Sequence, residues 1–201
     1  MHFGIAFLLL YLLAVSNIII LFLVFPPLLS NTFRVYGQNN GYSTNHLKYL
    51  SSAFSGVNTS IRPIWGLLYD AVGFKILLIP VNFFICIIGF GFYFTVHEKI
   101  LFTVCVVLVG LLMSVLHSIL PAYISKQFGL KFSSEIFGII FLGIGFGNVL
   151  GPSFYFLVSK SIKASANFFP FKIAYFIGGG FSFVAMILSW FTPKERIIVK
   201  K

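Results

Sequence analysis

The chain has 201 residues, 59% of them hydrophobic and 9% charged, with a mean hydropathy of +1.01. So few charges cannot cover a water-facing surface, where about 25% is usual, and this excludes an ordinary soluble domain. The net charge of +10 comes from 14 Lys/Arg against 4 Asp/Glu, but the basic residues are scattered singly in short loops and at helix ends. That pattern fits loops that orient helices and touch anionic headgroups, and it argues against a nucleic-acid partner.

The first element, about 3–30, opens "MHFGIAFLLLYLLAVSNIII". It lacks a basic leader, and its apolar run exceeds the roughly 7–15 residues of a signal-peptide core, so it reads as a spanning helix. Ser16 and Asn17 interrupt its middle, and Pro26-Pro27 are expected to bend its far end. The polar, Gly/Asn-rich stretch "NTFRVYGQNNGYSTNH" follows and is placed outside the membrane. Five further segments are long and apolar enough to span: about 46–69, 75–96, 100–123, 135–159 and 169–192. Strand-like alternation is absent, which excludes a β-barrel.

Six spans place both termini on one side of the membrane. With that side as the cytoplasm, the inner loops carry Lys75, Lys126, Lys131, Lys194, Arg196, Lys200 and Lys201, against Arg34, Lys99, Lys160 and Lys163 outside. Lys48 and Lys172 lie at outer helix ends and dilute the contrast. The third and sixth spans are nearly all apolar in their middles and are expected at the periphery. The first, second, fourth and fifth carry polar or Gly-rich positions at mid-depth, as helices lining a solute path would.

Arg62 is the most informative position. It lies eight residues before Asp70, about 12 Å deeper along a helix. Half the hydrocarbon thickness is about 15 Å, so Arg62 is closer to the midplane than to the surface. A central arginine costs about 2.5–3.5 kcal/mol on insertion scales and must be offset. Ser51, Ser55, Asn58, Arg62 and Gly66 recur at spacings of 4, 3, 4 and 4, which places them on one helix side. The chain's acids are Asp70, Glu98, Glu135 and Glu195, all near expected surfaces. A planar guanidinium without a local acid suits a bound carboxylate; the competing reading has Arg62 bonding helix carbonyls or snorkelling toward Asp70.

His117, in "LLMSVLHSILPAY" beside Ser114, Ser118 and Pro121, can relay a proton, hold a carboxylate oxygen, or pack against a neighbouring carbonyl. Asn17 and Asn148 can contact solute or bond between helices. Cys86 and Cys105 lie in apolar runs with no Cys/His cluster, so neither zinc nor a disulfide framework is supported. "NTS" at 58–60 is a sequon inside a spanning helix, and the glycines of "GIGFG" follow no strand. Gly4 is not at the position myristoylation requires. No nucleophile–base pair or metal ligand set emerges, so neither an enzyme nor a cofactor is expected.

"GLLYDAVGFK" resembles the loop motif of the major facilitator superfamily, Gly-x-x-x-Asp-Arg-x-Gly-Arg-Lys/Arg. Gly66, Asp70, Gly73 and Lys75 match, whereas Ala71 and Phe74 stand in place of arginines. Gly147-x-x-x-Gly151-Pro152 is similar to a packing element of the same superfamily. "RPIWG" is similar to the monocarboxylate transporters and the oxalate/formate antiporters, in which the arginine matching Arg62 binds the substrate carboxylate. Monocarboxylate transporters carry a coupling aspartate where this chain has Asn58. The oxalate/formate type uses a lysine in the fifth of these helices, and residues 136–159 contain none.

The resemblance implies an all-α membrane fold: six transmembrane helices over residues 1–201, arranged as two inverted three-helix repeats, forming the C-terminal half of such a transporter. It implies a symporter or antiporter that moves a small organic anion, a monocarboxylate, by alternating access; proton coupling is expected at His117, the titratable His in the membrane interior, because Asn58 cannot carry a proton. A second bundle, from an N-terminal half or another copy, is expected to cover the Arg62 stripe. Met1 stands at the edge of the first span, and Asp70 is expected to lack a partner without that bundle. Two other readings stay open: a transport-inactive membrane subunit, and a transporter of amino acids or another anionic or zwitterionic solute.

Overall fold

The computed structural model describes residues 25–161 and 169–190. Asn17, Ser16, Glu195 and most of the first predicted span lie outside the described residues. Within them the chain forms helices alone: α1 (Phe25–Asn39), α2 (Thr44–Ser60), α3 (Arg62–Val72), α4 (Phe74–Thr95), α5 (Lys99–Phe128), α6 (Leu130–Ser161) and α7 (Phe169–Trp190).

Among the described residues, four stretches are long and apolar enough to cross a membrane: Phe74–Thr95, Lys99–Gln127, Ser133–Leu157 and Pro170–Trp190. The second predicted span differs, because it is two helices instead of one. Pro63 has no N–H to offer Thr59, so the ladder breaks there. The N–H groups of Ile64 and Trp65 both turn to the Ile61 carbonyl, at 3.0 and 3.2 Å. Because Ile61 keeps helical dihedrals, α3 continues where α2 stops.

The polar stretch after the first span is also more ordered than its composition suggests. Helix α1 continues through "NTFRVYGQN" to Asn39. Asn31 and Thr32 bond back to the carbonyls of Pro27 and Leu28, while Phe33 and Tyr36 are buried and anchor that turn. The chain reverses only at Gly41, with φ +83°, and Ser43 then caps α2 by accepting from the His46 N–H. Helices α5 and α6 likewise outrun their predicted bounds, meeting at Gly129. Pro80, Pro121 and Pro152 sit inside helices without ending them, as neighbouring helices permit in membrane bundles.

Side-chain contacts fix the up-and-down order. The Tyr42 hydroxyl donates to Val96 O, joining the α1–α2 turn to the end of α4. Lys126 meets Asp70, and Lys75 donates to Trp190 O, joining the ends of α3, α5, α7 and the start of α4. The bundle thus has a Gly41 end and a Gly73 end. Helix α5 is its axis: Phe102, Val106, Val109, Val115, Leu116, Ile119, Leu120 and Ile124 are fully buried, and it packs on every other helix but α7. The fourth span, expected to line a path, is thus largely buried against its neighbours, with His117 and Ser118 half-buried.

Helices α4 and α7 pack most intimately. A Cβ added at Gly89 would come within 2.7 Å of Gly179 Cα, so only glycine allows this approach. Their other faces expose Phe83, Phe84, Ile87, Phe90, Phe94, Ile177, Phe181 and Val184. The expected apolarity of these two helices hides one polar pair, because Asn82 Nδ2 donates to Ser189 Oγ at 3.0 Å with both residues buried.

Candidate functional site

The site is built on the α2–α3 junction. Arg62 is the first residue of α3, four residues past Asn58, which is the centre of the combined helices and so about 6 Å away. Its guanidinium is exposed, and Nη2 donates to Asn58 Oδ1 at 3.1 Å. Asn58 is itself oriented, since its Nδ2 donates to Gly110 O of α5 at 2.8 Å. This relay is possible because Gly110 lets α2 come close: a Cβ there would lie 2.8 Å from the Phe54 ring. Asn58 thus fixes the guanidinium while leaving its charge intact, which an aspartate would not do.

Helix α5 supplies the second wall. Ser118 Oγ donates to Arg62 O at 2.6 Å, and Trp65 Nε1 donates to Leu111 O at 3.1 Å. A Cβ at Gly66 would stand 3.9 Å from Ser118 Oγ, an ordinary contact with room to spare. His117, next to Ser118, is half-buried; its Nδ1 lies 3.3 Å from Met113 O of its own helix.

Asp70 does not reach Arg62. It pairs with Lys126 of α5 at 2.9 Å, and the Lys126 ammonium stands 4.4 Å over the Tyr69 ring. Asp70 therefore has a partner inside this bundle, against the expectation that it lacks one. The reason is that α5 runs a turn and a half beyond its predicted end and carries Lys126 to it. Among the described residues no carboxylate pairs with Arg62. Gly73, at φ +81°, makes the turn between α3 and α4 in a conformation that favours glycine. Lys75, two residues on, reaches Trp190 O and stands 5.9 Å over its ring.

The stripe does not have one environment. Asn58 and Gly66 lean on α5, whereas Ser55 and Arg62 are exposed. Ser51 accepts from Nε of Arg34 on α1. The exposed side of α2 also holds Ser52, Gly56, Thr59 and Ser60. Asn148 stands apart, its Nδ2 donating to Ile144 O of its own helix at 3.0 Å. Gly147 and Gly151 are buried one turn apart on α6, and Pro152 is half-buried.

Pro152 also borders a cleft of about 630 Å³ between α1 and α6, with Asn31, Thr32, Val35, Ser153 and Tyr155. Thr32 Oγ1 lies 3.0 Å from the buried Tyr175 hydroxyl. Sequence reading missed Gly110, Trp65 and Arg34 as parts of these sites. Gly110 lies in an unbroken apolar run, and Arg34 looked like a loop charge. Only the Trp beside Arg62 carried a signal, as an indole needing an acceptor at depth.

A family model described as Major Facilitator Superfamily matches residues 7–200. No curated protein and no solved structure matches the chain significantly.

Proposed function

The chain belongs to the major facilitator superfamily and is a multi-pass membrane protein of the secondary-transporter class, and on that premise we propose that it moves a small organic anion, a monocarboxylate, bound at Arg62. One observation carries the reading: an exposed guanidinium near the centre of the joined α2–α3 helices is held by a neutral amide, Asn58, while the nearest acid in sequence is engaged by Lys126. The cost of that charge is offset when an anion binds it. A guanidinium offers a carboxylate two parallel donors, and Asn58 occupies only one nitrogen.

Alternating access then follows from a second six-helix bundle, a partner chain or a second copy, rocking against the polar face of α2. Ser55, Asn58, Asn17 and Asn148 are further solute contacts, and Gly66, Asp70, Gly73 and Lys75 form the gating turn at the Gly73 end. His117 carries the coupled proton, because Asn58 cannot. Both termini lie in the cytoplasm. The transport-inactive subunit is the competing reading, and uptake decides between them.

The test is uptake of labelled lactate, acetate, oxalate and an amino-acid panel by the purified protein in liposomes. Arg62→Ala should abolish carboxylate uptake while the protein still inserts. Arg62→Lys, which keeps charge but not the planar fork, should lose more than about tenfold. Normal lactate uptake by Arg62→Ala would place the site elsewhere, and uptake of amino acids alone would change the substrate class.

A further inference from the structure

We infer that Arg34 forms a second, outlying anion subsite on the same path, through which an anion approaches Arg62 from the Gly41 end. The inference rests on reading the polar face of α2 as an anion path. Arg34 belongs to α1, in the stretch that composition alone assigns to a loop. Because α1 continues helically to Asn39, the Arg34 guanidinium is held against α2, with Nε donating to Ser51 Oγ. Ser51 is in turn anchored by donation to Leu47 O at 2.8 Å. A hydroxyl partner orients the guanidinium and leaves its charge intact, as Asn58 does for Arg62.

The two arginines therefore sit on one polar stripe. Ser51 precedes Arg62 by 11 residues, about 16 Å along the axis, and exposed Ser55 lies between them. That gap exceeds the reach of a small diacid, so the two cations act in turn on one carboxylate. The other charged groups at this end leave Arg34 unneutralised. Glu98 immediately precedes α5, and no ion pair joins it to Arg34 among the described residues. Lys48, three residues before Ser51 on α2, is exposed and adds positive charge. His46 is engaged with Thr103 Oγ1 of α5 at 3.2 Å. A cation at the mouth of a low-dielectric path raises the local anion concentration and the on-rate.

Two measurements test this. The first needs no transported substrate. In a Cys86→Ala, Cys105→Ala background, Ser55→Cys is reacted with an anionic and a cationic methanethiosulfonate of similar size. The anionic-to-cationic rate ratio should fall about tenfold in Arg34→Gln at low salt and much less at 0.5 M salt. Arg34→Lys should preserve the ratio, because the subsite needs charge before it needs a fork. The second is lactate uptake started from the Gly41 side, where Arg34→Gln should raise KM several-fold with Vmax retained. An unchanged reagent ratio overturns the inference, as does an equal fall in Arg34→Lys. If the wild type moves no carboxylate but the ratio responds to Arg34, the substrate reading fails and the anion subsite stands.

Discussion

The exposed side of α2–α3 and the exposed side of the α4–α7 pair are built for different solvents. The first presents Ser52, Ser55, Gly56, Thr59, Ser60 and Arg62. The second presents Phe83, Phe84, Ile87, Phe90, Phe94, Ile177, Phe181 and Val184. Both belong to helices of one small bundle. Lipid can solvate the second face, but against the first it would strand hydroxyls and a guanidinium. Apolar residues at an aqueous surface are commonplace, whereas polar ones toward hydrocarbon are not. The polar face is therefore the one that identifies where water, solute or another bundle must lie.

The sharpest way to break this contrast is to place one charged side chain on each face. Ile87→Arg should cost about 2.5–3.5 kcal/mol, read as lowered unfolding free energy in bicelles. Ser55→Arg should cost less than about 1 kcal/mol, as expected of a face that meets water or another polar surface. Equal costs would mean that both faces share one environment.

Next in size is the glycine contact beneath the apolar face. Gly89→Ala puts a Cβ 2.7 Å from Gly179 backbone and should destabilise by about 1–3 kcal/mol. Gly91→Ala, two residues on, meets nothing within 4 Å and should be neutral. Similar melting temperatures for the two variants would show that α4 and α7 do not pack through their glycines.

A smaller effect is expected at the polar wall. Uptake of a weak acid should fall as pH rises, and in His117→Gln that dependence should flatten to a few-fold at most. An unchanged profile in liposome uptake would leave His117 a packing residue, bonded to Met113 O as the structure has it. The smallest effect belongs to the Asp70–Lys126 pair, whose side chains are 66% and 48% exposed. A double-mutant cycle on Asp70→Asn and Lys126→Ala should return no more than about 1 kcal/mol. A larger coupling would mean that the pair works in a drier setting than the isolated bundle shows.

Much of this molecule could be read from residue order. An apolar chain poor in charge requires a bilayer, and runs of about 20 apolar residues must be helices, since helices satisfy their own backbone in lipid. Arg62 stood out for the same reason: charge at depth needs an explanation. The stripe from Ser51 to Gly66 followed from helical spacing alone. Tertiary structure decided who meets whom. That Asp70 is engaged by Lys126, that Asn58 spans Gly110 and Arg62, and that Arg34 rests on Ser51 all depend on which helices become neighbours. Pairs such as Arg34–Ser51, Asn58–Gly110 and Asp70–Lys126, 17 to 56 positions apart, have no periodic relation to report. Nor could composition foresee α1 continuing through its polar stretch. Buried Phe33 and Tyr36 hold that turn by contacts with distant helices, and such packing overrides what local sequence prefers.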